Sequence, residues 1–262
     1  VIDFVERHTG ETYDWDACRA VMEKHNDEVR NEREKWNFMA TPYTAAALTV
    51  PNLFHTFYYA FSGGRNPEIM KAERKVMKIL EQAYESKTNC FPKTRYRAIT
   101  WGGPPCYWLQ FPNWLYNCWG ILCLINMDSL TGHNIVDTED RDVMMSDVAD
   151  WHARTPMRTH TVGGNRHIMQ MWETAEKFNC DTIIMYDDIG CKGMAGAQGL
   201  LEEEFAKHRD KFHIIWMPHS LMDCRIVPTN EARRAVNQYM TDVLHEEPVD
   251  PSLVDFDDTL GW

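Results

Sequence analysis

Four short, continuously apolar runs, spaced by segments of helical period, limit most tightly how this chain can fold. "RYRAITW" (95–101), "ILCLIN" (121–126), "DTIIMYD" (181–187) and "FHIIWMP" (212–218) lack the polar alternation of a half-solvated strand. Strands that are apolar on both faces need cover on both faces, which is the condition of a parallel sheet in an α/β fold. The intervening segments provide it. "NWLYNCWG" ends in Gly120, a suitable helix C-cap. "DTEDRDVMMSDVADWHA" (137–153), "GGNRHIMQMWETAEKFN" (163–179), "AQGLLEEEFAKHRD" (197–210) and "TNEARRAVNQYMTDVL" (229–244) carry helical periodicity, the last capped by Thr229 or Asn230. Right-handed crossovers stack such units into a Rossmann-like, doubly wound parallel sheet, expected over residues 93–247.

Residues 1–92 read as a helical segment packing on that domain. "DWDACRAVMEKHNDEVRNEREKWNFMA" (14–40) has Asp14 or Asp16 as N-cap and a partial apolar face of Cys18, Val21, Met22 and Val29. Pro42 and Pro51 interrupt it, and "NPEIMKAERKVMKILEQAYESK" (66–87) restarts with Asn66 as cap, Pro67 at the first helical position and a stripe of Ile69, Val76, Met77 and Leu80. Residues 248–262 are acidic and contain Pro251, and read as an extended surface tail.

Charge and cysteine usage narrow the function. A net charge of −12 with no basic stripe argues against nucleic acid as a partner. The longest apolar runs, such as 120–126, fall short of a bilayer span, so no membrane insertion is expected. Eight cysteines at irregular spacings, with no CxxC pair, fit free thiols in a reducing cytoplasm. The chain opens on Val1 without a signal peptide, and is expected to be processed or to belong to a longer polypeptide.

Ligands of open α/β sheets gather at the carboxyl ends of strands, so three loops qualify: 102–108 (GGPPCYW), 187–199 (DDIGCKGMAGAQG) and 218–225 (PHSLMDCR). Cys191 precedes a helix whose N-terminus, together with Lys192, favours a thiolate, suited to nucleophilic catalysis or metal ligation. The competing reading is a buried cysteine whose neighbours Gly190, Gly193, Gly196 and Gly199 merely permit a tight turn. "GCKGMAG" matches neither phosphate-loop fingerprint, and a Cys/His pairing with His213 or His219 is open. In loop 102–108, Gly103 and Pro105 build a rigid turn; Cys106 is a metal ligand or an ordinary loop cysteine; Tyr107 and Trp108 line an acyl pocket or form core. Asp187 and Asp188 are acid/base candidates or turn residues, and Asp223 with Arg225 suggests a local ion pair. A zinc or iron–sulfur site needs three or four ligands, and the cysteine spacing shows no compact set.

Four stretches, "ERHTGETYDWDACRAVMEKHN", "YRAITWGGPPCYWLQFPNW", "CDTIIMYDDIGCKGMAGAQGLLEEEF" and "WMPHSLMDCRIVPTNEARRAVNQYMTDVL", in this order and spacing, resemble the 2-hydroxyacyl-CoA dehydratases and the related benzoyl-CoA reductases. The likeness is closest to the dehydratase α subunit. It implies a lyase subunit that eliminates water from a 2-hydroxyacyl-CoA to give a 2-enoyl-CoA through a ketyl radical anion. It further implies a [4Fe–4S] cluster held by three cysteines, one matching Cys191, the other two in an N-terminal domain expected to precede Val1. Gly103, Pro105, Cys106 and Trp108 are the implied substrate-binding positions. The implied partners are a related β subunit in a heterodimer, an ATP-dependent iron–sulfur activator and an acyl-CoA substrate. A reductase-type subunit acting on an aromatic acyl-CoA, and a non-catalytic structural subunit, are the alternatives.

Overall fold

The computed structural model describes residues 1–47, 67–130, 134–153 and 164–256. Pro51, Asn66 and Gly163, each given a role above, lie outside the described residues, as does the end of the tail, 257–262.

Strands β1 (Tyr96–Trp101), β2 (Ile121–Asn126), β3 (Thr182–Asp188) and β4 (His213–His219) form one parallel sheet in the order β2-β1-β3-β4. A bulge in β2, where Ala98 pairs with Cys123 and Ile99 with Ile125, brings Asn126 beside Thr100. The apolar runs are buried as their composition requires: every residue of β2 is inaccessible.

Helices cover both faces. On one side lie α2 (Trp15–Met39), α3 (Pro67–Glu85), α6 (Gly164–Lys177) and α7 (Lys192–Ala206), around a core of Trp36, Met77, Leu80, Ile99, Trp172 and Phe205. On the other lie α4 (Phe111–Trp119) and α8 (Thr229–Gln238), around Trp108, Trp114, Trp119, Tyr186, Met217 and Val236. Helix α1 (Ile2–Thr9) buries none of its residues, and α5 (Arg141–Ala153) buries Met144. This is the doubly wound α/β architecture that the run pattern predicts. Among the described residues, no helix is long and apolar enough to cross a membrane.

Polar side chains fix how the helices meet the sheet. Arg97 of β1 donates to the carbonyls of Met39 (2.9 Å) and Thr41 (3.3 Å) at the end of α2, and to those of Phe178 (3.0 Å) and Asn179 (3.1 Å) just beyond α6. One guanidinium thus answers the orphan carbonyls of two helix ends. Lys35 lies 2.6 Å from Glu32 and 3.1 Å from Glu73, a buried triad joining α2 to α3. Asn26 exchanges two hydrogen bonds with the backbone of Val136, at 2.7 and 2.9 Å, and so anchors the segment before α5.

Local signals hold in part. Asp14 caps α2 by accepting from the Ala17 amide at 2.8 Å, and Gly120 ends α4 at φ 72°, where a Cβ would come 2.5 Å from the Lys93 carbonyl. The cap of α8 is Pro228, one residue before the expected Thr229, and beyond Gln238 the chain widens into a π turn over Tyr239–Val243. Helix α7 begins at Lys192, five residues earlier than the apolar period suggests, so Gly193, Gly196 and Gly199 are helical.

Candidate functional site

The strand order reverses between β1 and β3, and the crevice outside the carboxyl ends of such a pair is the binding position of open α/β sheets. The loops at 102–108, 187–199 and 218–225 converge there through backbone hydrogen bonds. Oδ1 of Asp188 accepts from the amides of Gly190 (3.0 Å) and Leu221 (3.3 Å). The Leu221 carbonyl accepts from the Cys106 amide (2.9 Å), and the His219 carbonyl from the Ile189 amide (3.1 Å). Gly102 makes the convergence possible: at φ 104°, a Cβ on it would meet the Tyr186 carbonyl at 2.9 Å. A Cβ on Gly103 would lie 3.3 Å from the Leu221 side chain.

Cys191 is the residue before α7, half-buried, with its amide on the Asp188 carbonyl (2.9 Å) and its carbonyl taking the Ala195 amide (3.0 Å). Its thiol makes no capping bond and packs at the margin of the core under α6 and α7. Cys106 is half-buried, its thiol 3.7 Å from the Pro104 carbonyl, and burial followed by the nearby Asp128 pushes its pKa up. Pro105 is buried and its carbonyl accepts from the Trp108 amide at 2.9 Å. Trp108 lies in the core against Phe111 and Trp114, with the Arg233 guanidinium 5.3 Å from its ring. Tyr107 donates to the Val227 carbonyl at 2.7 Å. Asp223 and Arg225 form the expected ion pair, at 2.7 Å, which holds the Asp223 carboxyl at about 2. His213 starts β4, at the opposite end of the strand from the crevice, so it cannot serve Cys191; His219 ends the strand.

Sequence reasoning missed a band of buried polar groups beneath the loops. Asn126 donates to Thr100 at 2.9 Å and accepts from the Asp128 amide at 2.8 Å. Asp128 is buried, which raises its carboxyl pKa to about 6. Burial also pushes the Tyr186 phenol up, against the pull of the Thr100 hydroxyl. The available signal was the change from apolar to polar at the end of "ILCLIN", before Asp128. A buried carboxyl that titrates closer to neutrality than an ordinary aspartate is a candidate acid/base group.

Among the described residues, no group of three or more His, Cys, Asp or Glu side chains is arranged to hold a metal ion. These residues therefore do not by themselves fit a [4Fe–4S] cluster, which takes about three or four thiolates; Cys191 offers one.

A family model described as 2-hydroxyglutaryl-CoA dehydratase, D-component, matches residues 1–219, which include β1 to β4 and all three rim loops up to His219. No curated protein matches the chain. With a parallel sheet and a match over most of its length, the chain belongs to the 2-hydroxyglutaryl-CoA dehydratase D-component family.

Proposed function

We propose that the chain is a subunit of a 2-hydroxyacyl-CoA dehydratase and that its crevice between β1 and β3 binds the acyl end of the thioester. The observation that carries this reading is the meeting of three rim loops at the switch point in a chain of the D-component family. The net reaction breaks the C2–O and one C3–H bond, forms the C2=C3 double bond and releases water. The chain's own part is to bind and orient the acyl group and to exclude solvent. Gly103 and Pro105 fix the turn, Cys106 lines it, and Trp108 backs it.

In this reading Cys191 supplies one thiolate to a [4Fe–4S] cluster, and the other donors come from outside the described residues. A related β subunit and an ATP-dependent activator complete the system. The lone thiol favours one second reading, a non-catalytic subunit with the same fold. Iron and acid-labile sulfide analysis of the intact complex, purified anaerobically, separates the two. The dehydratase reading expects bound iron and sulfide, lost in Cys191→Ser. Iron-free complex, or a Cys191→Ser variant with its iron unchanged, refutes the assignment.

A further inference from the structure

His219 is fully buried, and neither ring nitrogen makes a hydrogen bond of ordinary geometry. Its ring stands edge-on to Tyr186, with centroids 5.6 Å apart at 75°. It is the direct cross-strand partner of Asp188, the carboxylate that ties the rim loops together. Register and alternation put it on the same sheet face as Tyr186, towards Trp108. Burial holds its pKa below the ordinary histidine value, although Asp188, the Ser220 backbone and Asp187 favour the charged form. The ring is therefore neutral at pH 7, with one N–H donor and one lone pair. Buried polar groups are almost always paired, and an orphan at the ligand-binding end of a sheet points to a partner that arrives with the ligand.

We propose that His219 is a specificity residue of the crevice, accepting a hydrogen bond from the hydroxyl of a bound 2-hydroxyacyl thioester and so selecting it over the plain acyl thioester. This rests on the dehydratase reading above. In this proposal the ligand reaches the ring by displacing Leu221, whose amide donates to Asp188 and whose carbonyl accepts from the Cys106 amide.

The test is calorimetric titration of the intact complex, wild type, His219→Phe and His219→Gln, with a 2-hydroxyacyl-CoA and with the same acyl-CoA lacking the hydroxyl. Thermal unfolding of each ligand-free protein accompanies it. Phenylalanine keeps the packing on Tyr186 and removes the acceptor. It should weaken the hydroxyacyl-CoA about 10–100-fold and the plain acyl-CoA less than about threefold. Glutamine keeps a donor and an acceptor, and should recover the hydroxyacyl affinity to within about fivefold of wild type. Ligand-free His219→Phe should unfold at the wild-type temperature or above, because no bond is lost. Equal weakening of both thioesters, or of neither, overturns the proposal, as does a sharp fall in the unfolding temperature of ligand-free His219→Phe, which would make the imidazole a structural group. A wild-type complex that binds neither thioester overturns the functional reading itself, and this proposal with it.

Discussion

Asp128 shows how a single buried carboxyl sets a pH dependence. Its folded-state pKa of about 6 lies above the ordinary 3.8, and burial is the cause. Between these values the unfolded chain releases the proton and the folded chain keeps it. This group's contribution is therefore intact at low pH and is lost as pH rises, by about 2–3 kcal/mol between about pH 4 and pH 6. Asp128→Asn should remove that decline, leaving the variant the more stable protein at pH 7. Urea midpoints at several pH values measure it, and parallel curves for variant and wild type would contradict it. None of this was legible in the sequence. Asp128 looks like any acidic residue after a strand, and only the folded chain around it hides it from water. Cys191, by contrast, was legible as a helix-leading thiol on the rim, because strand, glycine and helix follow one another within a few residues.

At the level of elements, the strands were readable almost to the residue, since both-sided burial leaves an unbroken apolar run. Helix starts were less so. The expected start of α7 rested on the apolar residues from Ala197 onward, whereas the chain coils from Lys192, where exposed Gly193 and Gly196 add no apolar signal. The fastening of helices to the sheet was not readable at all. Arg97 sits in "RYRAITW" as one of two similar arginines, yet Arg97 alone reaches the ends of α2 and α6, while Arg95 reaches Glu246 and the Glu247 carbonyl. Arg97→Ala strands up to four partly enclosed carbonyls, and should cost about 2–4 kcal/mol in denaturant unfolding. Lysine lacks the planar fork and should recover only a fraction of that loss. An alanine variant as stable as wild type would show that water replaces the guanidinium at no cost.

Across the whole molecule, residues 245–256 bind the second face of the fold from outside. Tyr96 donates to Glu246 (2.8 Å), the Val249 amide to the Cys118 carbonyl (2.7 Å), Trp114 to the Leu253 carbonyl (2.8 Å) and Asn237 to the Val254 carbonyl (3.0 Å). Leu253 and Val254 pack against the core beneath α4 and α8. An acidic stretch containing prolines reads as a surface tail because its few apolar residues carry no period. Ending the chain at Leu244 should lower the thermal midpoint by about 5–10 °C, followed by circular dichroism. An unchanged midpoint would make the strap ornamental. The carboxylate of Asp188 has a further consequence at this scale. It rivets the exit of β3 to the exit of β4, and Leu221 carries the joint on to the exit of β1. Three chain segments far apart in sequence thus share one fulcrum, so that losing this one carboxylate would loosen all three rim loops together.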